Sequence, residues 1–198
     1  MSCSTSTTPH ITLKQKEVIA KNMKLNRFTR TAILLALAVA SQFLKSLSVY
    51  ITGPIINCIL IICVLYCGLG NAAILCVVLP LTSWLITGSP IMSAMPVIVP
   101  CIMAGNFVLV LSVWLFDRRS STGRSILSGM AIGCVVKALL MWLTISCLVL
   151  SLVGPSSGLP APALAAAKLT FSVTQLITAV IGCIPVPIIK AAIDKSKD

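Results

Sequence analysis

Between Thr31 and Ile193 the chain holds a single acidic residue, Asp117, and its other residues fall into long apolar runs separated by short polar breaks. That distribution constrains the fold more than any motif does. A soluble domain carries about 25% charged residues, needed to coat its surface, whereas this chain has 10%, with 58% hydrophobic residues and a mean hydropathy of +1.06. In hydrocarbon every backbone N–H and C=O must be satisfied internally, which leaves helices or closed barrels. The runs are continuous rather than alternating, so helices are expected. The predicted fold class is an all-α polytopic membrane protein.

Six spans are predicted, over about 31–48, 55–68, 71–87, 96–116, 126–152 and 168–191. A full crossing needs about 20 apolar residues. The second and third runs fall short of that and are joined by the tight turn Gly68-Leu69-Gly70-Asn71, so a tilted or partly re-entrant hairpin is expected there. A break is read at Thr52-Gly53-Pro54, a Gly/Pro-rich connector over 88–96, and a long loop over 153–168. The domain layout is a basic tail at 1–30, with a short amphipathic helix in its second half, a membrane domain at 31–192 and a short tail at 193–198. The first thirty residues contain no apolar run of the signal-peptide kind, so the first helix is expected to be retained.

The net charge of +11 invites a nucleic-acid reading. The placement of the charges argues for topology signals instead. Lys14, Lys16, Lys21, Lys24, Arg27 and Arg30 precede the first span; Arg118, Arg119 and Arg124 lie between the fourth and fifth; Lys190, Lys195 and Lys197 follow the sixth. With six spans these share one face of the membrane. Both termini are therefore expected in the cytoplasm, in a prokaryotic-type cell membrane.

Absences narrow the function. No Asp or Glu lies within a span, which argues against a carrier driven by protons or sodium. The only histidine, His10, is in the tail, so no histidine-dependent hydrolysis or metal chemistry is expected. No G-x-x-x-x-G-K-[ST] loop is present, and any ATP use would belong to a partner. No catalytic constellation is visible, and no enzyme, cofactor or metal is expected. Eight of the nine cysteines fall inside or at the edges of apolar runs, where Cys acts as a small hydrophobe.

Polar residues at membrane depth tend to face protein or water. Lys137 lies eleven residues past Ile126, roughly 16 Å along a helix at about 1.5 Å per residue, with no acid in any span to pair with. Its ammonium either receives an anionic ligand, or it snorkels or donates to Asn and backbone carbonyls. Asn57, Asn106 and Gln175 are further ligand-binding candidates, each open to a bridging or capping role instead. Trp84 and Trp142 either stack on a ligand or anchor at the interface. In the first run, TAILLALAVASQF, Ala32, Ala36 and Ala40 recur every fourth residue and present a smooth face that another helix can approach closely. A partner subunit or the bundle itself could use it. Gly129 and Gly133 form a second small pair, read as packing within the bundle.

Six short spans, a basic tail and the A-x-x-x-A first helix resemble the substrate-binding S-component of an energy-coupling-factor (ECF) vitamin transporter. ITGPIINCILIICVLYCGLGNAAILCVVLPL and FSVTQLITAVIGCIP are similar to stretches in that superfamily. The resemblance implies a high-affinity binding subunit for a small water-soluble vitamin or related nutrient. It would work with a membrane coupling subunit and two ABC-type ATPases, and the Ala32/Ala36/Ala40 face would dock on the coupling subunit. It implies a ligand site near the outer side, with Asn106, Lys137, Trp142 and Gln175 on ligand-lining spans, Asn57 and Trp84 beside the gate, Lys168 within reach of a carboxylate, and loops 46–54 and 88–95 as a lid. Few aromatics and available lysines lean toward a carboxylate-bearing compound, pantothenate first and lipoate second. The competing classes are a transporter or channel that needs no ATPase, and a membrane enzyme or structural subunit.

Overall fold

The computed structural model describes residues 13–46, 48–120 and 122–195. The tail expected over 1–30 is thus described only from Leu13, and His10, Lys197 and Asp198 lie outside the described residues. Everything described is helix or short connection, with no strand. Five helical runs are long and apolar enough to cross a bilayer: Val49–Cys67, Leu69–Thr87, Ile98–Arg119, Gly123–Leu152 and Ala161–Lys195. The chain is an all-α polytopic membrane protein. Its outer surface agrees, because large side chains such as Leu85 (79% exposed), Leu152 (74%) and Ile188 (71%) stand free of the protein. A belt of that kind is stable only where lipid covers it.

Helix α1 runs unbroken over Leu13–Gln42 and closes with a 3-10 turn, Phe43–Ser46. The short tail helix and the first span expected from the sequence are one element. Only its second half, residues 31–42, is apolar, and for that reason it is not among the five. Helix α2 covers Val49–Cys67 and α3 covers Leu69–Thr87, 19 residues each. Both are longer than the runs expected from the sequence. The helix passes straight through Gly53-Pro54 from its start at Val49, where the Ser48 side chain accepts from Tyr50 N–H. Pro54, the sixth residue of α2, lies past the first turn and forfeits one helical hydrogen bond, which the helix nonetheless spans. Gly68, at φ +89, makes the one-residue turn between the two helices, a conformation that favours glycine.

Helix α4 is the short Pro90–Ala94, inside the segment expected to be a connector. Helices α5 (Ile98–Arg119) and α6 (Gly123–Met141) form a tightly packed hairpin. A Cβ on Gly129 would fall 2.8 Å from Phe116 Cβ, and one on Gly133 would fall 3.0 Å from Leu109 Cδ1. These glycines serve the bundle, as their spacing suggested. α6 continues as a π-helical stretch, Trp142–Val149, and a last turn, α7, Leu150–Leu152. The last apolar run is longer than expected and jointed: α8 (Ala161–Thr170), α9 (Val173–Cys183) and α10 (Pro185–Lys195). Ala161–Ala167, expected as loop, is helix; the alanines favour it, and Pro162 at its start is tolerated where the N–H has no helical partner.

One core cluster joins α1, α2, α3, α5, α6 and α9 around Leu60, Ile61, Leu75, Leu109 and Val110. A second joins α4, the start of α5, α6 and its π-helical extension, α8 and Phe171. The two clusters leave a hollow between them at the end of the bundle opposite Arg118, Arg119 and Lys190.

Candidate functional site

The hollow is a cavity of about 260 Å3. Its size falls just below the usual range for small-molecule sites, about 300–1,000 Å3. The first two turns of α2, the last turns of α3, α4, the first half of α5, Lys137 of α6, α8 and the start of α9 surround it. Apolar groups such as Ile56, Leu79, Met92, Ile102 and Phe171 make most of the wall, with the hydroxyls of Thr52, Ser83, Ser89 and Thr170 among them. No lining residue is acidic, and Lys137 is the only basic one.

Lys137 sets the chemistry. Its side chain is 2% exposed, and its Nζ donates to Asn57 Oδ1 at 2.5 Å and to Asn106 Oδ1 at 2.8 Å. Three helices therefore meet on one ammonium, α2 through Asn57, α5 through Asn106 and α6 through Lys137. An ammonium has three donors and no acceptor, so one donor remains after both bonds. Two amide oxygens supply dipoles and no net charge, so the positive charge stays uncompensated within the site. The Lys190–Asp194 ion pair lies at the far end of the bundle.

Local packing positions the trio. A Cβ on Gly105 would lie 2.8 Å from Met141 Cγ and 3.7 Å from Lys137 Cγ, so the lysine stem crosses α5 where α5 has no side chain. On the opposite side Gly182 lies against α2; a Cβ there would meet Pro54 O at 2.7 Å and Asn57 Cβ at 2.9 Å. Gly53 makes the matching approach to Thr178, at 2.8 Å. This α2–α9 crossing sets the position of Asn57.

Of the ligand-binding residues expected from the sequence, Asn57, Asn106, Lys137 and Gln175 line this one cavity. Gln175 Nε2 donates to Thr170 O at 3.3 Å, bridging the joint between α8 and α9. Trp84 and Trp142 do not line it. Trp84 Nε1 donates to Ser93 Oγ at 3.3 Å and ties α4 to α3 beside the cavity. Trp142 opens the π-helical stretch and is 44% exposed on the outer surface. Lys168 is exposed and outside the lining, while Ser89, Ile91 and Met92 from the expected lid segment are in it. Ala32, Ala36 and Ala40 all lie on the exposed side of α1, while Ala38 faces the core.

Val49, Thr52 and Gly53 of the other expected lid segment, 46–54, also line the cavity, whereas sequence reasoning missed Thr170 and Phe171, which carry no signal at their positions beyond being next to a helix joint. It also missed a thiol pair, Cys134 and Cys183, whose sulfurs lie 3.4 Å apart between α6 and α9. No group of three or more metal-ligating side chains occurs among the described residues. No protein-family model matches the chain, and no curated protein or solved structure is significantly similar to it.

Proposed function

We propose that the chain is the substrate-binding membrane subunit of an ATP-driven importer of the ECF type, taking up a small water-soluble vitamin or related nutrient of the size of pantothenate or lipoate. The observation that carries this reading is the cavity, a small, mostly apolar hollow with a few convergent polar groups and one buried ammonium, set at one end of a membrane bundle. Small-molecule sites have that composition. A lysine kept in a protein interior without a counter-charge is a cost to folding, and a ligand that supplies the charge gives it a purpose. The basic residues at the opposite end would face the cytoplasm by the positive-inside rule, which opens the cavity to the outside.

The chain offers no nucleotide motif, and the acids of its membrane-length helices, Asp117 and Asp194, sit only at the helix ends, so energy would come from partners: a membrane coupling subunit and two ABC-type ATPases. The exposed Ala32, Ala36 and Ala40 stripe is suited to close helix contact with that coupling subunit. The protein itself would not be an enzyme.

Co-expression with a coupling subunit and two ATPases, followed by affinity purification and uptake in vesicles, tests the reading. A stable four-part complex with ATP-dependent uptake of a labelled vitamin is the expected result. Uptake that proceeds equally without ATPases would replace it with a self-sufficient transporter or channel.

A further inference from the structure

Resting on the nutrient-binding reading, we infer that Lys137, Asn57 and Asn106 form one clamp for a single carboxylate, and that the ligand is a monoanion with an uncharged body. The two asparagines act as relays. An ammonium cannot accept a hydrogen bond, so each amide must turn its oxygen toward Lys137, as observed at 2.5 and 2.8 Å. That orientation fixes the amide nitrogens facing away from the lysine. Among the described residues neither Nδ2 has a hydrogen-bond acceptor. Gln42 Oε1 is the one fully enclosed side-chain polar atom without a partner among the described residues. Both Nδ2 groups therefore keep access to the cavity that Asn57 and Asn106 line.

The inner wall thus presents a set of donors with one positive charge: the third N–H of Lys137 and the amide hydrogens of two asparagines. A carboxylate, acceptor-only with two oxygens, satisfies such a set. A hydroxyl or primary amide can accept through its oxygen, but it adds donors to a wall of donors and brings no charge.

The same wall excludes other anions and amino acids. Lys137 is the only basic lining residue, so a second carboxylate or a phosphate would leave charge buried against Ile56, Leu79 and Met92 without a partner. An α-amino group would sit close to the Lys137 ammonium, and no lining acid could receive it. What remains is an organic monocarboxylate whose neutral body lies along the apolar wall, where the hydroxyl oxygens of Thr52 and Thr170, whose hydrogens go to Ser48 O and Ala166 O, can accept from its polar groups.

The test uses the full-length protein in detergent micelles, with binding read by calorimetry and native mass spectrometry. Two matched pairs serve as probes, pantothenate with panthenol and lipoate with lipoamide, together with a pool of other water-soluble vitamins. The informative variant is Asn57→Asp, which keeps the shape and still accepts from Lys137 while cancelling the charge and removing one amide donor. Circular dichroism checks its fold, and Lys137→Gln provides a second route to the uncharged site. Retention of an acid, at least tenfold tighter than its neutral partner, with at least tenfold loss in both variants, is the expected result. Equal binding of acid and neutral partner, or retention of only a neutral or cationic vitamin, overturns the clamp and leaves the nutrient-binding reading standing. Folded wild-type protein that retains nothing from the pairs or the pool overturns both.

Discussion

Lys137 illustrates how much a single residue says before its neighbours are known. Its position inside an apolar run marked it in the sequence, as did those of Asn57, Asn106 and Gln175, because lipid penalises such groups. Their meeting at one point was not legible, since nothing in a linear pattern fixes which faces of α2, α5 and α6 converge. The two tryptophans show the reverse. An aromatic ring suits a ligand or a lipid interface equally well, and only packing decides: Trp84 holds α4, and Trp142 faces outward. The lysine's energetics also give a prediction. Its partners are neutral, so Lys137→Met removes a buried charge without stranding an opposite one. Desolvation of a buried ion costs several kcal/mol, whereas an unpaired amide oxygen costs about 1–3 kcal/mol and less where it can turn to the cavity. The variant should unfold within about 1 kcal/mol of wild type or later, while losing ligand binding. A structural lysine would instead give a variant destabilised by about 3 kcal/mol or more, measured by denaturation in micelles.

At the scale of elements, the decisive contact is the α2–α9 crossing. Gly182→Ala drives a methyl into Pro54 O at 2.7 Å and Asn57 Cβ at 2.9 Å. Overpacking of this kind costs about 1–3 kcal/mol, and here it also shifts Asn57, so both thermal stability and ligand affinity should fall. Gly70 has nothing within 4 Å, and Gly70→Ala in helix α3 should leave binding unchanged and stability equal or up to about 1 kcal/mol higher. A second check addresses α6 against α9. With sulfurs 3.4 Å apart, Cys134 and Cys183 should bridge on treatment with the azo oxidant diamide, two thiols giving up two hydrogens to it. Peptide mass spectrometry should find one intramolecular link, absent in Cys134→Ser; no link in the wild-type protein would contradict the packing of these helices. Existence of the long helices was legible from hydropathy. Their joints were not. Gly53-Pro54 reads as a break yet lies within α2, which continues through it at the loss of one helical hydrogen bond. Ala161–Ala167 reads as loop yet is helical, because Gly154, Pro155, Gly158 and Pro160 upstream hid a run of alanines with high helix propensity.

For the whole molecule, the lopsided charge and the bare apolar surface together describe a protein embedded in a bilayer. The exposed face of α1 carries Ala32, Ala36 and Ala40 away from the core and away from the cavity. Replacing all three with Leu should therefore reduce co-purification with a coupling subunit and two ATPases at least tenfold while leaving ligand affinity within twofold. Loss of ligand binding instead would return the stripe to a role inside the bundle. Fold class was legible at this scale because membrane solvation acts on composition alone. The cavity was not, because it is the space left between two core clusters, and its size follows from side chains on seven helices at once.

The most direct measurement is native mass spectrometry of the purified, folded protein incubated with a pool of water-soluble vitamins and related acids. The expected result is one retained small acid in one-to-one ratio, lost in Lys137→Met. A folded protein that carries no small molecule from the pool would contradict a substrate-binding subunit.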